Sequence, residues 1–316
     1  MSLSERMRMP NVRWLPSLTA WAGDPRAVVT AQWLVRVYYF ALLYFSIGLF
    51  RRWFISLEPL EGLVQFHPLW PVAWVPLVSL PTAIIIVRGL FLAGALAAAF
   101  FPERRAARIL AAVGLLEFVG LYTSALLSDI DLYVWVPVAF LLIFLPGGWH
   151  RAEAIPLLER EKFLWVIWGC QAFILITYSM AGIGKLYGAA IGLWLGEMHV
   201  FAPGARAVFI ANQLLYIGTA TPLGPWAIDH PWLAWPFFVA GDLLQLFSLA
   251  AAFRLTWQRL WGVGLILFHV GAYLTMGIGF SANVLLIALF LLSGPFRKAA
   301  SATPAANPVP PLASRV

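Results

Sequence analysis

Phe163-Leu-Trp-Val-Ile-Trp-Gly-Cys-Gln-Ala-Phe-Ile-Leu-Ile-Thr-Tyr-Ser-Met180, followed at once by Ala181-Gly-Ile-Gly-Lys185-Leu-Tyr187, decides how the whole chain is read. The first part carries no charge and nearly reaches the ~20 apolar residues that cross a ~30 Å hydrocarbon core. Lys185 then stands at the outer end of the run, where a lysine is costly unless it snorkels or has a task. Tyr178, Ala181 and Lys185 are spaced i, i+3 and i+7, so a continuing helix keeps them on one face. Gly182 and Gly184 leave room beside that face for a neighbouring helix or a flat ligand. A snorkelling lysine at a helix end is the plainer reading of the same spacing.

The composition extends the membrane reading to the rest of the chain. Of 316 residues, 62% are hydrophobic and 11% charged, and the mean hydropathy is +0.83. Soluble domains carry about 25% charged residues. The expected fold is all-α: a polytopic membrane bundle of about eight transmembrane helices with membrane lipids as its surroundings. The net charge of +7 follows from loop topology and calls for no nucleic acid. The single cysteine, Cys170, excludes an internal disulfide, a CxxC relay and a cysteine-held metal. Of the five histidines only His269 falls within a span, so neither a metal site nor a haem held between two histidines is expected. Residues 1–30 hold Arg6, Arg8, Arg13, Pro10, Pro16 and Pro25 without a continuous apolar core, so the first span is expected to act as the insertion signal.

Three segments result: a cytoplasmic stretch over 1–23, a transmembrane domain over 24–296 and a disordered tail over 297–316, rich in Ala, Pro and Ser. Asp24-Pro25 reads as an N-cap with proline at the first helical position. The spans are expected near 29–50, stopped by Arg51-Arg52, then 82–101, 109–127, a short 132–146, and 163–185. After the long connection 186–232 they resume at 233–253, 260–277 and 280–295. Residues 53–81, with Trp53, Trp70 and Trp74, look interfacial. Within the long connection, Ala207–Gly218 is apolar but too short to cross; it is re-entrant or lies on the surface.

Most lysines and arginines fall in loops on one side of this scheme: Arg104, Arg105 and Arg108; Arg151, Arg160 and Lys162; Arg254 and Arg259; Arg297 and Lys298. The positive-inside rule puts those loops and both termini in the cytoplasm, with Arg51-Arg52 as the misfit. Lys185 and the long connection then face outward. At 1.5 Å per residue Asp242 lies roughly 13 Å deep, and His269 and Glu117 reach similar depth. Such groups beneath a lysine outline a polar cavity open outward; internal pairs such as Glu117 with Arg88 are the structural alternative. Asp242 and Gln245 are spaced i and i+3, and His269 and Tyr273 i and i+4, each pair on one helix face.

With these residues placed, the chain resembles the membrane domain of vitamin K-dependent γ-carboxylase and its bacterial horizontally transferred transmembrane (HTTM) relatives. Asp24-Pro25 with Arg36 is similar to the family's opening helix, and Phe140-Leu-Leu-Ile-Phe144 to its fourth span. The strongest stretch is Tyr178-Ser-Met-Ala-Gly-Ile-Gly-Lys-Leu186, followed by Trp194; Gly241-Asp-Leu-Leu244, Phe268-His269 and Met276-Gly-Ile-Gly-Phe280 come in the family's order.

The resemblance implies a bacterial inner-membrane enzyme that uses a reduced quinone of the vitamin K or menaquinone type and O2, with its site toward the periplasm. Lys185 is then the base, with Asp242 and His269 as catalytic partners and Tyr178, Gly182 and Tyr273 around the quinol. Two departures stand out. The chain stops soon after the last span, where the animal enzyme continues into a lumenal domain. Asp129-Ile-Asp131 stands where the carboxylase has Asn and His. A peptide or protein substrate, or a partner subunit, is the expected partner. The alternative is a non-catalytic subunit of an export or peptide-modification system. A transporter ranks last, because no internal repeat or matched pair of broken helices is seen.

Overall fold

The computed structural model describes residues 18–57, 66–124, 130–147, 149 and 154–296. The expected N-terminal segment, apart from its last few residues, the expected tail, Asp129 and His150 lie outside these residues. Among the described residues all regular structure is helical. In order, the main elements are α1 (Pro25–Leu57), α2 (Leu80–Phe100), α3 (Arg105–Ser124), α4 (Trp135–Leu142), α5 (Leu157–Leu195), α6 (Pro203–Ile217), α7 (Gly224–Asp229), α8 (Pro231–Leu246), α9 (Ser248–Ala252), α10 (Gln258–Met276) and α11 (Ser281–Ile287), which runs on as a π-helical turn, Ala288–Leu292. Five of them, α1, α2, α3, α5 and α10, are long and apolar enough to cross a membrane. The chain is a multi-pass integral membrane protein by this measure.

Local signals behave as the sequence dictates at several ends. The Asp24 carboxylate accepts from the Arg26 backbone N–H at 2.9 Å, capping α1 with Pro25 in its first turn. Ser79 caps α2 in the same way through Thr82 N–H. Gly196 and Gly277 end α5 and α10 with φ of 69°, a left-handed conformation that favours glycine.

Other boundaries differ from the sequence reading. Helix α1 passes through Arg51-Arg52 and ends only at Leu57. Helix α5 does not stop at Lys185 but continues ten residues to Leu195, because nothing from Leu186 onward breaks it before Gly196. The long connection is not a loop: it holds α6 and α7. The sixth expected span is divided at Phe247 into α8 and α9. The fourth is an eight-residue helix and the eighth is α11 with its π turn. Of the stretch 53–81 expected to be interfacial, residues up to Leu57 belong to α1, residues 58–65 lie outside the described residues, and the remainder before α2 holds two short 3₁₀ turns over Trp70–Val72 and Val75–Leu77.

Helices α2 and α3 pack closely through glycines. A Cβ on Gly94 would meet the α3 backbone at Ala111 Cα (2.8 Å), and one on Gly114 would meet Phe91 Cα at 2.8 Å. Close backbone approach at small residues is how helices associate where lipid gives no hydrophobic drive. One core joins α1 to α5 and α11, centred on Tyr38, Trp135, Leu142 and Phe290. Tyr38 stacks on Trp135 at 4.9 Å and donates to the Trp135 carbonyl at 2.9 Å. Arg108, fully buried at the start of α3, donates to the carbonyls of Pro102 (2.8 Å) and Leu145 (2.6 Å). Its role is to tie the α2–α3 turn to the end of α4.

Candidate functional site

Helix α8 runs antiparallel beside the last third of α5, and Gly182 makes the approach possible. A Cβ there would stand 2.6 Å from Leu246 Cα. Of the two glycines expected to open this face, Gly182 therefore seats a neighbouring helix, whereas Gly184 faces open space. One turn below Gly182, the Ser179 hydroxyl donates to the Leu246 carbonyl (3.1 Å) and accepts from Leu249 N–H (2.7 Å). This hydroxyl replaces the backbone pairing lost where α8 breaks into α9. The register it fixes brings Lys185 opposite Asp242 and Gln245.

Lys185 Nζ donates to Asp242 Oδ1 and to Gln245 Oε1, each at 2.7 Å. The other carboxylate oxygen, Asp242 Oδ2, accepts from Arg206 Nη2 on α6. Asp242 is 3% exposed, Arg206 15% and Lys185 29%. One nearly buried carboxylate thus holds two cations from two other elements, and the cluster carries a net positive charge. Aromatic rings complete it. Lys185 Nζ lies 5.4 Å from the Phe268 ring centroid, and the Arg206 guanidinium 5.6 Å from that of Phe238. Gly241 makes space for Phe268, since a Cβ there would meet the ring at 2.7 Å.

A second polar pair lies two helical turns further down α5. Tyr178 Oη and His269 Nε2 are 2.6 Å apart, and His269 Nδ1 is buried without a hydrogen-bond partner. Phe268 and Phe280 flank the imidazole, with centroids at 5.4 and 4.7 Å. Phe268 therefore sits between the two pairs, against Lys185 on one side and beside His269 on the other. Asp131 lies within electrostatic reach of Tyr178, and its carboxylate faces the start of α11 at Ala282 N–H (3.5 Å).

Of the residues expected from the sequence, Lys185, Asp242, Gly182, Tyr178 and His269 all fall on the α5–α8–α10 contact. Two do not join them. Glu117 accepts from the Trp74 indole at 3.0 Å on the α3 side of the bundle. Tyr273, 57% exposed, lies on the outward face of α10. Arg206 and Gln245 complete the ion cluster. Gln245 is marked by its i+3 spacing from Asp242, but nothing local marks Arg206, whose partner is 36 residues away. No group of three or more His, Cys, Asp or Glu side chains suited to a metal ion occurs among the described residues.

Comparison with known proteins adds nothing to this geometry: no family model, no curated protein and no solved structure matches the chain. The likeness to the γ-carboxylase membrane domain therefore stands on short stretches of sequence alone: Asp24-Pro25 with Arg36, Phe140-Leu-Leu-Ile-Phe144, and the motifs around Lys185, Asp242, His269 and Gly277.

Proposed function

We propose that this chain is an integral membrane enzyme of the inner membrane of a bacterium, resembling the vitamin K-dependent γ-carboxylase membrane domain. Its substrate is a reduced quinone that reaches Lys185 from the lipid, and its second reactant is O2. The observation that supports the reading is the meeting of Lys185 with Asp242 and Gln245, one Phe268 ring away from the Tyr178–His269 pair. In the resting arrangement Lys185 is a donor, so acting as a base requires it to leave the pair and first release a proton to water. Arg206 makes that step affordable, because Asp242 keeps a cationic partner when Lys185 turns toward a phenol. Tyr178 and His269 form a polar contact at which a proton can be passed or a second ligand oxygen held. In this reading eight crossings, with both termini cytoplasmic, put the cluster on the periplasmic side.

The test is oxygen uptake by the purified protein in lipid, supplied with reduced menaquinone and with vitamin K hydroquinone. Wild type consumes oxygen and forms quinone epoxide; Lys185→Ala loses activity by about 10²–10⁴-fold, the usual worth of a positioned base. Equal uptake by both proteins, or none by a folded wild type, rejects the proposal.

One observation favours a second reading. Both Asp242 oxygens are engaged, and the cluster joins α5, α6 and α8. A closed network of this kind serves a non-catalytic membrane subunit equally well, as a lock between elements. A stoichiometric partner that co-purifies with wild type and with Lys185→Ala alike supports that alternative.

A further inference from the structure

Helix α6 is amphipathic in the inverted sense. Its only charged residue, Arg206, is turned inward to Asp242. Its outward face presents Val208, Phe209, Leu215 and Tyr216, exposed by 51, 51, 80 and 87%, with the uncharged Asn212 exposed between them. A helix standing in water places its charges outward and its apolar stripe inward. At 15 residues it is about 22 Å long, too short to cross a ~30 Å core.

The neighbouring end of α5 has the same character. Leu186 to Leu195 contains no charged residue, and Tyr187, Leu193 and Trp194 are exposed by 68, 64 and 88%. The start of α8 continues the surface with Trp232 (74%) and Phe237 (76%). Three elements around the ion cluster thus each expose apolar side chains, and along α5 these continue at helical spacing through Ile183, Met180 and Ile176 on its membrane-spanning part.

Length gives an independent argument. The charged residues Glu159 to Lys162 hold the first turns of α5 outside the hydrocarbon. From Phe163 to Leu195 the helix then extends about 50 Å. Tilted toward the upper end of the ~0–40° range seen for membrane helices, it fits within the ~40–45 Å of a whole bilayer. Trp194 then falls at the headgroup level, where tryptophan is enriched.

We infer that the end of α5 and helix α6 are embedded in the membrane leaflet at that end of the bundle, so that the Lys185–Asp242–Arg206 cluster opens sideways to lipid rather than upward to water. The occupant of the apolar surface is the lipid itself. Helix α6 lies along the interface as a strap, with its outer face in acyl chains and Arg206 pinning its inner face to Asp242. A ligand reaching Lys185 along this route is a lipid-soluble molecule that never leaves the bilayer. The inference does not depend on the reaction proposed above.

The test uses nitroxide labels in the full chain reconstituted in phosphatidylcholine and phosphatidylglycerol vesicles. Cys170 is fully buried and stays in place, while Tyr187→Cys and Tyr216→Cys are labelled separately. Collision rates are measured by electron paramagnetic resonance with O2, which concentrates in lipid, and with a water-soluble nickel chelate. Embedding predicts that O2 collisions exceed nickel collisions severalfold at both sites. The reverse at either site places that element in water and overturns the inference. Low collision rates with both reagents show a covering protein, either a second copy or a partner, and overturn it too. The two positions sit on different elements, so one variant that fails to fold leaves the other to decide.

Discussion

Asp242 is 3% exposed and holds Lys185 and Arg206 together. Replacing it by Asn leaves two cations facing each other in an apolar slab, a loss of about 3–5 kcal/mol for a broken buried pair. Lys185→Met, in contrast, leaves Arg206 and Asp242 as a balanced pair and removes only a partly exposed cation. Thermal unfolding in detergent should therefore show Asp242→Asn far less stable than Lys185→Met. Equal losses, or the opposite order, would mean that Arg206 does not share the carboxylate as described. At this scale much of the site is legible in the sequence alone. A lysine at the end of an apolar run and an aspartate inside another are costly in lipid, and the cost singles them out. Arg206 is not legible in the same way, because in sequence it is an ordinary cation between two spans. Only the fold of α6 turns it inward.

The break between α8 and α9 shows why element boundaries are harder to read. Phe247-Ser-Leu-Ala contains neither Gly nor Pro, so an unbroken span is the natural expectation. The cause lies in another helix, where the Ser179 hydroxyl takes the Leu249 N–H and donates to the Leu246 carbonyl. The π turn at the end of α11 has a comparable partner: Gln171 Nε2, also on α5, donates to the Phe290 carbonyl at 2.6 Å. Polar side chains of α5 thus satisfy backbone groups that irregular helices leave unpaired, as membrane interiors require. Ser179→Ala strands the Leu249 N–H and should cost about 1–3 kcal/mol. Gly182→Ala forces the α8–α9 junction away from α5 and should cost a similar amount, about 1–3 kcal/mol for overpacking. Both losses are measured by thermal unfolding. A label pair at Ile183→Cys and Leu243→Cys, both exposed positions, reports the helix separation directly. The distance should grow in Gly182→Ala and hold in Ser179→Ala. An unchanged distance in Gly182→Ala would mean that the glycine contact does not set the helix approach.

At the scale of the whole molecule the open quantity is the number of crossings, and its parity has a direct consequence. The five long helices alone place the two termini on opposite sides, whereas eight crossings place them on the same side. Composition already sets the class, since a chain with 11% charged residues cannot cover a soluble surface of this size. The count is harder to read from sequence, because three of the expected spans are built from broken or short helices. Together α8 and α9 run from Pro231 to Ala252, about 33 Å if laid end to end, and so reach across a ~30 Å core despite the break. Helix α4 and helix α11 with its π turn are shorter, but both are packed in the core around Trp135 and Phe290 rather than facing lipid. Protein contacts can satisfy irregular backbone at membrane depth, so these segments can cross where an isolated helix of that length could not. The distribution of Lys and Arg favours eight: Arg104 and Arg105, Arg160 and Lys162, and Arg254 and Arg259 share a side only if α4 and the α8–α9 pair both cross, and Arg297-Lys298 joins them only if α11 crosses as well. Reporter fusions that fluoresce only in the cytoplasm, placed in turn at each terminus and after Arg254, should all be bright, with a fusion after Gly218 dark. A dark C-terminal fusion beside a bright N-terminal one would give an odd count and remove at least one of the three irregular crossings; it would move Lys185 to the other side only if the crossing lost is α4, the one of the three that precedes it.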